Sequence, residues 1–137
     1  MRKWFKFITE QKDSSKASKV ILFNGDKILL LTGATEPYVG NLDLPGGHLY
    51  YNEDPVEGLV REVYEETGLT ITNYRELYQD GNINFFWGYL PSGDIKLSNE
   101  HTAYQLLNID EIGEKGYTMS DIIFNAIKKA YEVVHKA

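Results

Sequence analysis

Four carboxylates, a guanidinium and a bare glycine stand close together between positions 47 and 66. They are Glu53, Glu62, Glu65 and Glu66, with Arg61 and Gly47. The residues from Pro55 to Thr67 carry the signals of a helix. Asp54 is placed as its N-cap, Pro55 in the first helical position, Glu57 for a capping box and Gly68 as a left-handed stop. At about 100° per residue, Glu62, Glu65 and Glu66 share one patch, because residues three and four apart are surface neighbours on a helix. Val56, Leu59, Val60, Val63 and Thr67 fall on another side and should face a core. Three carboxylates on one patch repel one another unless a cation lies among them. Arg61 can meet part of that charge through Glu57 or Glu65. A hard divalent ion such as Mg²⁺, which prefers carboxylate and water oxygens, meets the rest. The bland alternative is a solvated acidic face, the usual fate of a charge run.

The residues around the patch decide between these readings. From Gly47 to Leu69 the chain reads GHLYYNEDPVEGLVREVYEETGL, which follows G-x5-E-x7-R-E-U-x-E-E-x-G-U with U aliphatic. Gly47, Glu53, Arg61, Glu62, Val63, Glu65, Glu66, Gly68 and Leu69 fill every defined position. At ordinary residue frequencies a chain this short matches by chance roughly once in ten million. This is the Nudix box, and the chain resembles a Nudix hydrolase. The resemblance implies an α/β/α sandwich with a mixed β-sheet between helices. It implies Mg²⁺ (with Mn²⁺ as the alternative) bridging the diphosphate of a nucleotide substrate.

Carried over residue by residue, the resemblance makes Glu62 and Glu66 the firmest metal ligands and Glu65 a third or water-mediated one. The main-chain carbonyl of Gly46 is a further ligand, and Gly46 and Gly47 let backbone approach phosphate. Arg61 would orient a neighbouring carboxylate, and Glu53 would tie the loop to the helix. The implied reaction is attack of water on one phosphorus of a nucleoside diphosphate linked to another group. Glu62 is the first choice for the base that takes the water's proton, and Glu100, in the loop before a late strand, is the second. Pro45-Gly46-Gly47-His48-Leu49 is similar to the start of the box in small nucleoside-triphosphate pyrophosphatases of the MutT type. ADP-ribose-specific relatives often carry a proline some way past the box, and Ile83 to Phe86 has none. The expected substrate is therefore a nucleoside triphosphate, ordinary or oxidised, with ADP-ribose, a nucleotide sugar or a dinucleoside polyphosphate as alternatives. Two rival readings compete with this one. A non-catalytic nucleotide-binding module usually lacks box carboxylates, and none is lost here. An isopentenyl-diphosphate isomerase-like enzyme depends on a cysteine, and this chain has none.

Several other residues are candidates for substrate contact. His48 follows the double glycine and could touch phosphate or a sugar hydroxyl, and His101 neighbours the loop glutamate. Tyr38, Tyr50, Tyr51 and Phe86 could meet a nucleobase, although aromatic residues on alternating strands usually build core. His135, near the chain's end, has no specific role.

Positioning these groups needs a scaffold, and its elements are legible in outline. Val20–Phe23 and Lys27–Leu31 flank Asn24-Gly25-Asp26, a hairpin signal. A basic, aromatic N-terminal strand is expected, with residues 10–19, polar and rich in serine and lysine, as a loop after it. Further strands are expected over 70–78, 83–90, 95–97 and 102–108. Ile122, Ile123, Ala126, Ile127, Ala130 and Val134 recur at helical spacing in a terminal helix over 120–135.

The 137 residues read as a single domain over 1–137, with the 42% hydrophobic and 25% charged composition of an ordinary globule. No apolar run approaches membrane-spanning length, and no secretory signal is visible. Zero cysteines exclude disulfides, thiolate metal sites and cysteine nucleophiles, and agree with a reducing, cytoplasmic compartment. A net charge of -6 gives no general attraction to nucleic-acid backbone. The expected partner is a small-molecule nucleotide, not nucleic acid or membrane, bound by a monomer or homodimer.

Overall fold

The computed structural model describes residues 12–33 and 41–136. In chain order these form strands β1 (Lys12–Asn24), β2 (Lys27–Gly33), β3 (Leu42–Asp43) and β4 (Gly46–Tyr50), then helix α1 (Pro55–Thr67). Strands β5 (Tyr74–Asp80), β6 (Ile83–Tyr89) and β7 (His101–Leu107) follow, then helices α2 (Ile109–Glu114) and α3 (Asp121–Lys136). The N-terminal strand expected before residue 9 and Tyr38 lie outside the described residues.

Alternation along the central strands makes the sheet two-sided. Val20 and Leu22 of β1, Leu29 and Leu31 of β2 and Phe86 of β6 pack with Leu59 and Val63 of α1. Their neighbours Ile21, Phe23, Ile28, Leu30, Phe85 and Trp87 pack on the other face with Ile123, Ala126, Ile127 and Ala130 of α3. Residues two apart in a strand share a face, so a sheet covered on both sides reads as a continuous apolar run. The fold is a mixed α/β sandwich, as expected, with α1 on one face and α2 and α3 on the other.

The described strands form one mixed seven-stranded sheet. β1 runs parallel to β6 over Ala17–Phe23, while β1–β2 and β5–β6 are antiparallel. β1 meets β2 only at Phe23↔Ile28 and Asn24↔Lys27. Beyond that point the two strands take different partners: β1 pairs with β4, and β2 pairs with β3 and with β7. The opening between them admits the double-glycine segment and the carboxylate side of α1.

Three expectations are corrected. Residues 12–19 are not a loop but the first half of β1, pairing Lys12↔Tyr50 and Lys19↔Gly46 through a register shift between Asp13 and Ala17. Main-chain pairing to β4 makes this segment a strand, and its run of polar residue types conceals that. Residues 95–97 form no strand. Lys96 N–H donates to Thr67 O (2.8 Å) and Ser98 N–H to Glu66 O (3.1 Å), so the segment satisfies carbonyls left open at the end of α1. The strand expected from Thr70 begins only at Tyr74, with Leu69 and Ile71 buried ahead of it.

Candidate active site

The helix that carries the box has the expected N-cap and C-terminal stop, but Glu57 makes no return bond to the Asp54 N–H, so the expected capping box is not formed. Asp54 Oδ2 accepts from Val56 and Glu57 N–H, and Gly68 ends α1 in the left-handed conformation (φ 75°). Its middle is set by shape. Gly58 lies so close to β4 that a Cβ there would sit 2.3 Å from Leu49 Cδ2 and 2.9 Å from Glu53 Oε1.

Two more glycines bring backbone against the carboxylates. Gly46 has φ 130°, and a Cβ on it would lie 2.1 Å from Ser18 O, so only glycine fits there. Its N–H donates to Glu66 Oε1 at 2.7 Å. A Cβ on Gly47 would fall 2.6 Å from Glu62 Oε2. Gly47 therefore leaves room for Glu62, while Gly46 lets β4 lie against β1 with its N–H on Glu66.

Those carboxylates have unlike surroundings. Glu62 is 3% exposed, and its Oε1 takes Lys12 Nζ at 2.8 Å and Arg61 Nη1 at 3.1 Å. Glu66 is 6% exposed and lacks a comparable counter-charge. Burial raises its pKa to about 8, although the Gly46 N–H and the Lys19 ammonium work in the other direction. Glu65 is half exposed and paired with Arg61 (3.1 Å).

Arg61 is the hub of the charge network. Its Nε and Nη2 donate to Glu53 Oε2 (2.8 Å) and Oε1 (2.9 Å), a bidentate pair, and Nη2 also donates to His48 O at 3.2 Å. Its guanidinium lies 4.0 Å from the Tyr50 ring centroid. Burial opposes the Arg61 charge, but the surrounding carboxylates more than compensate and hold its pKa above the ordinary value. Glu53 also accepts from Tyr50 N–H at 2.9 Å. Burial pushes its pKa up, and Arg61 with that N–H outweighs the push, leaving it below the ordinary value. Glu53 thus joins the β4–α1 loop to the helix, and Arg61 orients Glu53, Glu62 and Glu65. Glu57, the other expected partner of Arg61, has no such pairing among the described residues.

Opposite α1, the 91–100 loop brings Glu100 to the same place. A cavity of about 270 Å³ is lined by Lys12, Glu62, Glu65, Glu66, Ser98, Asn99 and Glu100. Both choices for a base therefore border one space. A different trio brings its ligand atoms together. Glu66, Glu100 and His101 each bring one within 4.8 Å of the others. His101 Nε2 stands 3.8 Å from Glu66 Oε2. Burial holds His101 below its ordinary pKa despite Asp43 and Glu100, while burial raises Glu66.

The donor set fits a divalent cation. Four carboxylates border the cavity, and their cationic partners, Lys12 and Arg61, both serve Glu62 rather than Glu66. A buried carboxylate pushed to about 8 is one whose charge a bound cation would restore.

The other expected contacts are placed variously. His48 is exposed, and its carbonyl serves Arg61. Tyr51 is exposed in the turn before α1. Phe86 is buried in the core beneath α1, edge-to-face with Tyr74, and lines a separate cavity of about 250 Å³ beside Asp54, Tyr78 and Asn84. Lys12 was missed, because it sits in the polar stretch taken for a loop. Lys19 and Asp43, paired at 2.8 Å beside Glu66, were missed too and carry no motif to betray them.

A family model described as the NUDIX domain matches residues 14–123. A MutT-like protein of Streptomyces ambofaciens is 35% identical over 82 residues, covering 56% of this chain and 53% of that protein. A probable DHNTP pyrophosphohydrolase of Lactococcus lactis is 24% identical over 112 residues, covering 82% of this chain and 63% of that protein. The chain thus spans between half and two thirds of the curated relatives it matches. The crystal structure of a MutT protein from Methanosarcina mazei superposes with a TM-score of 0.69 at 26% identity, covering 92% of this chain and 98% of that one.

Proposed function

The chain belongs to the NUDIX family, and on that premise we propose that it is a divalent-metal-dependent pyrophosphohydrolase acting on a nucleoside triphosphate. It would release the nucleoside monophosphate and pyrophosphate. The observation that carries this reading is the cavity where Glu62, Glu65, Glu66 and Glu100 converge, with Lys12 as its lining cation.

Bound divalent ions would neutralise phosphate oxygens and lower the pKa of the attacking water. Glu66, Glu62 and Glu65 are the box carboxylates proposed to hold them, with the Gly46 carbonyl. Glu62 accepts the proton of that water as its oxygen attacks phosphorus. The bond from that phosphorus to its bridging oxygen then breaks, and the electron pair leaves on the departing half of the triphosphate, pyrophosphate when the α-phosphorus is attacked and nucleoside monophosphate when the β-phosphorus is. Arg61 and Lys12 hold Glu62 Oε1, which fixes the carboxylate's direction and leaves Oε2 beside the side-chain-free Gly47. Lys12 is also positioned to attract the substrate's anionic phosphates. Glu53 keeps Arg61 in place through two parallel hydrogen bonds.

Triphosphates are favoured over ADP-ribose because the start of the box resembles that of MutT-type enzymes. The name of one curated relative, a MutT-like protein, supports that resemblance. Tyr51 and His48, both exposed beside the box, are the proposed contacts to base and sugar or phosphate. Tyr51→Ala is expected to raise KM at least about threefold with little change in kcat, the mark of lost ground-state binding. An unchanged KM removes Tyr51 from the site.

A further inference from the structure

One imidazole in the site makes no hydrogen bond. The His101 side chain is only 9% exposed, and its Nδ1 is fully buried with no hydrogen bond. Nε2 faces Glu66 Oε2 at 3.8 Å, beyond hydrogen-bonding reach. Buried polar atoms in native proteins are nearly always satisfied, so an imidazole with an unbonded, buried Nδ1 and only a long contact at Nε2 points to something it is built to hold.

Its orientation comes from an irregularity in β7. The pairings Thr32↔Ala103 and Gly33↔His101 leave Thr102 without a partner in β2. Such a bulge turns a side chain away from the alternation of its strand. Here Thr102, Ala103 and Tyr104 stay exposed, while His101 turns inwards beside Glu66 and Glu100. Donors around one ion bound at about 2.1 Å lie roughly 3–4 Å apart. The three donor atoms, all within 4.8 Å of one another, need only small rotations to reach that arrangement.

We propose that His101 is a nitrogen ligand of the divalent ion held by Glu66 and Glu100, so that this site selects Mn²⁺ over Mg²⁺. Imidazole suits first-row transition ions, whereas Mg²⁺ takes oxygen donors and keeps its waters. The proposal rests on reading the pocket as a metal centre and adds a ligand that the box does not contain.

Electron spin-echo modulation of Mn²⁺ bound to the full chain tests it without an activity measurement. The wild-type protein should show the ¹⁴N coupling of a directly bound imidazole. His48→Gln should keep that coupling and His101→Gln should lose it. In a competition titration, His101→Gln should lower the ratio of Mn²⁺ to Mg²⁺ affinity about tenfold or more, the scale on which ligand-shell changes act. Mn²⁺ bound to wild type without nitrogen coupling overturns the proposal and leaves the hydrolase reading standing, and this result needs no variant to fold. Coupling that survives His101→Gln also overturns it. Failure to bind Mn²⁺ at all defeats the metal-centre reading and this inference together.

Discussion

Glu62 and Glu66 are one helical turn apart and both buried, yet their partners differ, and that difference predicts different consequences for changing each. Glu62 is held by Lys12 and Arg61. Replacing it with glutamine keeps the shape and removes the proposed proton acceptor, so turnover should fall about a hundredfold or more while the fold persists. A variant that keeps over a tenth of wild-type activity contradicts the role. Glu66 has its pKa raised from 4.5 to about 8. Between those values the folded, metal-free protein retains a proton that the unfolded chain has lost. The stability due to that proton is complete below about 4.5, declines as pH rises and is gone above about 8. In chelator the melting temperature should therefore fall across this window. Mn²⁺ should recover it at the alkaline end, since a ligand of the folded state stabilises by mass action. Glu66→Gln should flatten the slope. Melting curves from pH 5 to pH 9, with and without metal, check each part.

At the scale of elements, the site depends on how closely α1 approaches β1 and β4. Gly46→Ala places a Cβ 2.1 Å from a backbone oxygen at φ 130° and disturbs the N–H that Glu66 accepts. It should weaken Mn²⁺ binding and lower the melting temperature. Gly113→Ala, in α2 with nothing within 4 Å, should be neutral or stabilising by up to about 1 kcal/mol. Equal effects from the two would mean the close approach at Gly46 is unimportant. The helix itself was legible in the sequence, because Asp54, Pro55 and Gly68 are local signals that act within one turn. The strand status of Lys12–Lys19 was not, because polar side chains conceal a segment whose structure comes from long-range main-chain pairing. β4 was missed for a related reason: its glycines are chosen for proximity to carboxylates rather than for β propensity. Helix α2 did carry a readable signal, since Asn108 and Glu111 form a reciprocal capping box. His101 was noted only as a neighbour of Glu100, because a bulge leaves no trace in side-chain periodicity.

The whole molecule separates stability from chemistry across its sheet. The face under α1 carries the carboxylates, and the face under α3 is a second apolar cluster containing Ile127 and Ala130, both fully buried. Ile127→Ala should cost about 2–5 kcal/mol by urea denaturation. It should leave kcat near wild type at temperatures where the variant is folded, because no α3 residue borders the carboxylate cavity. Among the described residues no helix is long and apolar enough to cross a membrane. With a net charge of -6, the molecule repels polyphosphates at long range. On the proposed reading, metal ions and the two cations at Glu62 supply the local attraction. The most direct test follows from this. Purified protein is incubated with Mg²⁺ or Mn²⁺ and, separately, nucleoside triphosphates, nucleotide sugars, ADP-ribose and dinucleoside polyphosphates, and products are identified by ³¹P NMR. The account predicts monophosphate and pyrophosphate from a nucleoside triphosphate, with all cleavage abolished by chelator. Intact triphosphates in the presence of folded, metal-loaded protein would contradict it.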